Sequence, residues 1–471
     1  MNTQRRVASP EGPATSLRDA LDSLRQRRVT ATDLALQALH RAAHCNEALH
    51  AFSVVAWDHA LKAAADSDRR LAEGSPRVLE GLPIAVKDLI DTRAIETRYG
   101  SPAYRGHVPA ADAEVVRVLT DCGAIVIGKT TTHEFAWGVT TASADFGDTL
   151  HPLDPTRIPG GSSGGMAAAI AGGAVAAGIG TDTGGSVRIP AALCGVVGFK
   201  PTFETLPTRG IFPLAPSLDH PGLLGATVDD VLLLAQPFGL DLPENDAWLS
   251  ARFGVIRGIA PVPLEEGLAA AFDAAIAAAA RDFQCEELHA PSLFEGVFAA
   301  FGDTVLMEGG VEHFKRHDWD WIEDNYGTAT VDRLRRAMAV TMPHYAQAQQ
   351  ARRAVVRRLE RVMADLDFLL LPTVPCIAPR RNEDIVAIGT WSGSVREALM
   401  TYTAPFNMAG FPAITIPLTS DRMRLPAGLQ IVARPGDDGA LLQIAQQLEQ
   451  RIGGGTSARP MMDFNLDRRA A

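Results

Sequence analysis

From Ser16 to about Ala72 the apolar residues recur every three or four positions: Leu17, Leu21 and Leu24, then Leu34, Leu36 and Leu39. That spacing lines one face of an α-helix, so the pattern predicts a helical lead-in, with Thr32 before Leu34 as a capping residue. Shorter apolar runs follow. Leu82 to Val86 and Ala124 to Ile127 read as strands, and Ala113 to Asp121 between them reads as a helix. Alternation of this kind predicts an α/β fold, a sheet flanked by helices.

The segment from Pro263 to Asp365 breaks the rhythm. It is rich in Ala, Arg and Glu, offers few strand signals, and carries helical windows at Leu268 to Phe283, Val331 to Val340 and Ala346 to Met363. A helical lobe or cap over 263–365 is the expectation. Strand signals return at Phe368 to Leu371, Ala413 to Pro417 and Gly428 to Val432, so the chain is expected to re-enter the same sheet. Although 471 residues would suffice for about three average domains, this return argues for one domain over 16–452. Residues 1–15 and 453–471 read as loose ends.

Composition narrows the class. Apolar residues at 46% and charged residues at 21% are ordinary for a globular protein. A formal net charge of −11 repels phosphate backbones, and no basic run interleaved with aromatics offsets it, which argues against nucleic acid as a partner. The arginines at 335–336 and 352–358 recur at helical spacing beside Glu360 and Asp365, as on a solvated helix face. Five scattered cysteines without a C-x-x-C pair indicate neither a disulfide framework nor a zinc site, and fit a reducing cytoplasm. The least polar run, Met166 to Gly180, falls short of the roughly 20 residues that span a bilayer. No cofactor or metal is indicated.

The chemistry concentrates between Pro159 and Pro201. Gly160-Gly161-Ser162-Ser163-Gly164-Gly165 opens an Ala-rich helix, and Gly184-Gly185-Ser186 follows Gly180-Thr181-Asp182-Thr183. Ser186 precedes Val187-Arg188-Ile189-Pro190, a turn feeding a helix with proline in its first turn, so its hydroxyl is expected at a positive helix end. Glycines allow the N–H groups of Thr183, Gly184, Gly185 and Ser186 to converge, as an oxyanion hole requires. Each such donor contributes about 3–4 kcal/mol to the transition state.

A serine needs a base. His133, His151 and His220 sit in no distinctive motif. Lys87 ends the apolar run Gly-Leu-Pro-Ile-Ala-Val-Lys, so a strand would carry it into the interior, where desolvation favours the neutral amine. The plainer role for Lys87 is an ion pair with Asp88 or Asp91. The segment around Ser163 also fits G-x-S-x-G, the elbow of a serine esterase, but Pro152, Pro155 and Pro159 make its approach a loop where an elbow needs a strand. Nucleotide-binding glycine motifs fail on spacing.

Together Lys87 in Gly-Leu-Pro-Ile-Ala-Val-Lys-Asp, Ser162 in Gly-Gly-Ser-Ser-Gly-Gly and Ser186 in Gly-Thr-Asp-Thr-Gly-Gly-Ser-Val-Arg resemble the triad of the amidase signature family. The similarity extends to Ser217-Leu218-Asp219, Leu371-Pro372-Thr373, Phe406-Asn407-Met408-Ala409-Gly410-Phe411-Pro412 and Gly428-Leu429-Gln430, and lapses between about 230 and 365. The resemblance implies a mixed central β-sheet sandwiched between helices. It implies Ser186 as nucleophile, Ser162 after a cis peptide as proton relay, and Lys87 as base. It also implies a structural role for Asp182 and Arg188, while Cys194 reads as a small core residue.

By the same resemblance Phe135, Ala136, Trp137, Gly138, Val139, Ile211, Phe212 and Ile377 border the substrate pocket, and their apolar character suggests a small aryl or alkyl amide, ester or carbamate. Core packing is the competing role for Phe135 and Phe212. One branch of the family is the glutaminase subunit of a tRNA-dependent amidotransferase. Ile189 stands where a glutamine is expected in that branch, and Met400 where an acid would hold the amino group of glutamine. A non-catalytic binding protein is disfavoured by the presence of all three triad residues. The expected assembly is a monomer or homodimer.

Overall fold

The computed structural model describes residues 16–143, 146–240, 242, 251–259, 261–289, 293–420 and 423–453. Residues 1–15 and all of 453–471 but Gly453 lie outside the described residues. The strands are β1 (Phe52–Val55), β2 (Pro83–Lys87), β3 (Ile125–Thr130), β4 (Ala177–Asp182), β5 (Val197–Lys200), β6 (His220–Gly225), β7 (Arg252–Val255), β8 (Gln284–Glu287), β9 (Phe368–Pro372), β10 (Ile385–Ile388), β11 (Trp391–Ser394), β12 (Ala413–Leu418) and β13 (Ala427–Ala433). Among the described residues eleven of them make one mixed sheet in the order β1-β3-β2-β4-β6-β5-β12-β13-β9-β7-β8, and β10 and β11 form a separate hairpin.

Two parallel pairings set up the site. β2 runs parallel to both β3 and β4, with Val86 opposite Ile179, so the carboxyl ends of β2 and β4 lie side by side. Lys87 ends one strand and Asp182 ends the other. Clefts beyond the carboxyl ends of parallel strands are where α/β sheets bind ligands. From the other half of the chain, β12 pairs antiparallel with β5 and closes the sheet across residues far apart in sequence.

The lead-in is helical as the periodicity predicts, in three pieces: Leu17–Arg25, Ala31–Leu49 and Trp57–Glu73. The cap differs. Thr30, not Thr32, accepts from the Asp33 N–H, and the Asp33 side chain returns the bond, completing a capping box two residues earlier. The hydroxyl of Thr32 is used instead on Asp68.

The 263–365 segment is mostly helical, with Glu266–Ala279, Val297–Phe314, Trp319–Asn325, Thr328–Ala337 and Met342–Val362. It is not a lobe without strands. β8, inside this segment, pairs with β7 at the sheet edge, where its largely exposed Gln-Cys-Glu-Glu lacks the apolar alternation that marks a strand. The Val297–Phe314 helix packs on the Met342–Val362, Thr328–Ala337 and Ala404–Ala409 helices. This brings the segment over the carboxyl-end cleft.

The Gly164–Ala171 helix has all its residues but Ala171 buried, which its lack of polar side chains permits. Gly165 makes the close approach to β3 possible: a Cβ there would lie 2.6 Å from the Thr131 nitrogen, with the Thr131 carbonyl and hydroxyl closer still. Backbone atoms directly continuing a buried strand cannot readily step aside. Gly165→Ala is expected to destabilise the protein by about 1–3 kcal/mol; an unchanged melting temperature would show that the helix has room to shift.

Candidate active site

Beyond β4 the chain turns through Thr183, Gly184, Gly185, Ser186 and Val187 into the Arg188–Cys194 helix. Asp182 organises the turn. Its carboxylate accepts the N–H groups of Gly185 (2.8 Å), Val187 (3.1 Å) and Arg188 (3.3 Å), and a paired contact from Arg188 through Nε (3.0 Å) and Nη2 (2.9 Å). Burial opposes this charge, but Arg188 and the Asn407 amide outweigh it and hold the carboxyl well below the usual range. Gly185 takes a φ of +127°, which glycine alone adopts readily.

These bonds divide the four amides expected to converge. The Gly185 N–H is committed to Asp182. The N–H groups of Thr183, Gly184 and Ser186 donate to no acceptor among the described residues. Ser186 is 7% exposed, and its hydroxyl makes no hydrogen bond to another described residue.

Lys87 is fully buried. Its Nζ donates to Ser162 Oγ and Thr181 Oγ1, each at 2.7 Å, and makes no ion pair with Asp88 or Asp91. Burial lowers its pKa to about 7, against the pull of Asp182 and Asp219. Lys129 is the lysine beside Asp88, 3.9 Å away, and it also bonds Thr97 Oγ1 and the Ile90 carbonyl. The Gly161–Ser162 peptide is cis.

Ser163 is closed off. Its Oγ donates to the Thr181 carbonyl (3.2 Å) and accepts from the Thr181 N–H (3.4 Å), with no surface exposed. A nucleophile elbow presents its serine outward, and this one faces β4. The histidines differ in how far they are engaged, and His220 Nε2 is buried without a partner among the described residues. Both ring nitrogens of His151 are bonded, to the Leu193 carbonyl and the Leu153 N–H, and His220 Nδ1 is bonded to the Leu218 carbonyl. Burial, then the charges of Arg333, Arg396 and Lys87, lowers His133 to about 3. Cys194 is buried with its thiol on the Pro159 carbonyl, and burial pushes its pKa up.

The pocket residues fall into separate groups. Ile211 and Phe212 line a cavity of about 270 Å³ that also touches Thr181, Thr183, Asp219 and His220. Phe135 has no exposed surface and sits in an aromatic cluster, with ring centres 4.9 Å from Phe212, 4.7 Å from His313 and 4.5 Å from Tyr326. Its ring is taken up by core packing. Ala136 and Val139 are nearly buried, Gly138 lies against the His133 ring, and Ile377 is half-buried with its N–H on Glu265. Trp137 packs on Gly309 of the Val297–Phe314 helix, and its indole N–H is buried without a partner among the described residues.

The side chains that crowd the glycine turn before Ser186 are others. A Cβ on Gly184 would lie 2.5 Å from Met400 Cε and 2.6 Å from Phe301 Cζ, and one on Gly185 would lie 2.7 Å from Ile189 Cδ1. Phe301 comes from the stretch where the family resemblance lapses, so no motif announced it. Thr181 stands in the same motif as Ser186, but only the parallel register of β2 and β4 brings it to Lys87.

This chain belongs to the Amidase family, whose profile matches residues 33–442. Among its relatives, a Glutamyl-tRNA(Gln) amidotransferase subunit from Chloroflexus aurantiacus is 32% identical over 478 aligned residues, covering 92% of this chain and 96% of that one. A crystal structure described as an amidase superposes with a TM-score of 0.85 at 32% identity, covering 93% of this chain and 100% of the other. The peptide amidase of Stenotrophomonas maltophilia gives a TM-score of 0.80 at 27% identity, covering 94% and 97%. The mixed sheet between helices is the fold these enzymes share.

Two stability measurements follow from the site. Arg188→Met strands the Asp182 carboxylate and is expected to cost about 3–5 kcal/mol, read from the denaturant midpoint; a loss below 1 kcal/mol would mean the turn holds without the pair. A lysine whose pKa falls on folding disfavours folding wherever the unfolded lysine is protonated. That penalty is full below about pH 7 and fades toward pH 10.5. Lys87→Met is therefore expected to be more stable than wild type by on the order of 3 kcal/mol at neutral pH, with the gap closing by pH 10. Equal stability throughout would mean that folding leaves the Lys87 pKa at its usual value.

Proposed function

We propose that the protein is an amidohydrolase working through an acyl-enzyme on Ser186. The observation that carries this reading is the 2.7 Å bond from Lys87 to Ser162, made by a buried lysine without a carboxylate partner. At a pKa of about 7 a large fraction of Lys87 is neutral near pH 7 and able to accept a proton. Ser186 Oγ bonds to the carbonyl carbon and passes its proton to Ser162, whose own proton goes to Lys87. The C–N bond then breaks, the amine leaves with the proton returned through Ser162, and water cleaves the ester. The uncommitted N–H groups of Thr183, Gly184 and Ser186 are the donors for the developing oxyanion. The free Ser186 hydroxyl closes on Ser162 as substrate binds, in the way catalytic hydrogen bonds tighten in the complex.

Apolar Phe301, Met400 and Ile189 around the turn suit a small amide, ester or carbamate with an apolar body. The similarity to a subunit of a Glutamyl-tRNA(Gln) amidotransferase favours a second reading, release of ammonia from glutamine. Met400 and Ile189 weigh against it: a thioether and an alkyl chain touch the turn where the ammonium of glutamine would need an acid, and neither accepts a hydrogen bond of useful strength.

A serine-directed sulfonyl fluoride or phosphonate is expected to label Ser186, and Ser186→Ala to lose both label and turnover. Lys87→Ala is expected to reduce turnover to near background. Because the neutral amine is the working form, the rate is expected to fall about tenfold per pH unit below pH 7. An adduct confined to Ser163, or a flat profile from pH 5 to 8, would overturn the mechanism.

A further inference from the structure

Asp182 ends β4 and Thr183 follows it, and the two are anchored on opposite faces of the sheet. β4 pairs antiparallel with β6, with Thr181 opposite Pro221 and Asp182 opposite His220. Alternation along the two strands puts Thr181, Thr183, Asp219 and Pro221 on one face and Asp182 on the other. The first four all line the cavity of about 270 Å³. Asp182 turns away from it to Arg188 and Asn407. Lys87 reaches the cavity face round the end of the strand, through its bond to Thr181 Oγ1.

Asp219 is the polar centre of that face. Its Oδ1 accepts the Thr183 hydroxyl at 2.6 Å. Its Oδ2 accepts the N–H groups of Leu214 (2.9 Å) and Ala215 (3.0 Å), in the turn between Pro213 and Pro216 that walls the cavity. Both oxygens act as acceptors, which a carboxylate allows and an amide does not. No cation pairs with Asp219 among the described residues: Arg316 and Arg209, which also line the cavity, pair with Glu312 and Glu114. Burial pushes its carboxyl up, with the charge of Glu308 in the Val297–Phe314 helix adding to this, while the three hydrogen bonds oppose it. The turn into Ser186 is thus clamped twice, by Asp182 through the Gly185 N–H and by Asp219 through the Thr183 hydroxyl.

We propose that Asp219 is a positioning residue of the reaction: one oxygen aims the Thr183 N–H at the developing oxyanion, the other locks that donor to the cavity wall, and its charge acts on Lys87. The inference rests on the Ser186 reading. A donor displaced by about 1 Å costs on the order of 10²-fold in rate, which is the loss expected when this anchor goes. The charge has a separate effect. Asp182 and Asp219 favour the protonated form of Lys87 against burial, and their pull is part of what leaves it at about 7. His133, the other titratable group that the Lys87 charge reaches, is kept neutral by burial. Removing the Asp219 charge lets Lys87 fall further, so the neutral amine persists to lower pH and the acidic limb of the rate moves down.

The rate at which phenylmethanesulfonyl fluoride labels Ser186, followed from about pH 5 to about pH 9, tests this. Asp219→Asn and Thr183→Val are each expected to slow the high-pH limiting rate by on the order of 10²-fold. Thr183→Ser, which keeps the hydroxyl, is expected to recover most of the loss seen with valine. The double variant is expected to lose no more than either single one, because both break the same interaction. Only Asp219→Asn is expected to move the acidic limb to lower pH, a shift that a merely structural role would not produce. A wild-type limiting rate in Asp219→Asn, multiplicative losses in the double variant, or an unmoved limb would each overturn the inference. Should Asp219→Asn fail to melt cooperatively, the two Thr183 variants decide it: a loss confined to valine supports the anchor, and equal rates overturn it. If wild type takes no label on Ser186, the Ser186 reading falls and this inference with it; a labelled wild type matched by Asp219→Asn removes the inference alone.

Discussion

The buried pair of Asp182 and Arg188 is the interaction on which the rest of the site depends. Removing two charges from water costs several kcal/mol per ion, and mutual attraction offsets that only where the remaining hydrogen-bonding positions are filled. Here they are filled. Arg188 spends its other donors on the Thr403 carbonyl (3.1 Å), Gln430 Oε1 (2.7 Å) and Asn407 Oδ1 (2.6 Å), while Asn407 donates back to the Asp182 carbonyl and carboxylate. Thr403 in turn holds the Gly184 carbonyl at 2.7 Å. The glycine turn is therefore fixed from outside, and its flexibility in the unfolded chain does not carry over into the fold.

Three buried lysines meet different neighbours at equal burial. Lys129 meets a carboxylate, a carbonyl and a hydroxyl, and burial pushes it and Asp88 each toward the neutral form. Lys200 meets the Pro201 carbonyl, and burial with the nearby Arg188 charge drives its pKa well down. Lys87 meets only two hydroxyls. A hydroxyl can accept from an amine or donate to it, whereas a carbonyl can only accept, so of the three Lys87 alone touches only groups able to hand it a proton.

Much of this was readable in the chain. Lys87, Ser162 and Ser186 stand in motifs whose glycines and apolar run state their own backbone demands, and the strands at 83–87, 125–130, 368–372, 413–418 and 427–433 follow from apolar runs. What was not readable depends on contacts between distant segments. The Gly185 amide looked like an oxyanion donor because nothing local shows that a side chain three residues back claims it. β8 gives no such signal because an edge strand with solvent on its sides has no apolar face to display. Phe301 lies on a helix whose local pattern reports only which face is buried, not what the face meets.

The brace on the glycine turn has a temporal consequence. Its donors and acceptors at 182 and 188 are complete only with 403, 407 and 430, and the sheet around them closes only when β12 joins β5. A chain emerging from the ribosome carries Lys87, Ser162 and Ser186 long before those partners, and contacts so distant in sequence form late and slowly. The nascent chain thus holds Lys87, Ser162 and Ser186 while lacking the frame that fixes the turn between them, and the site takes shape only near the end of synthesis.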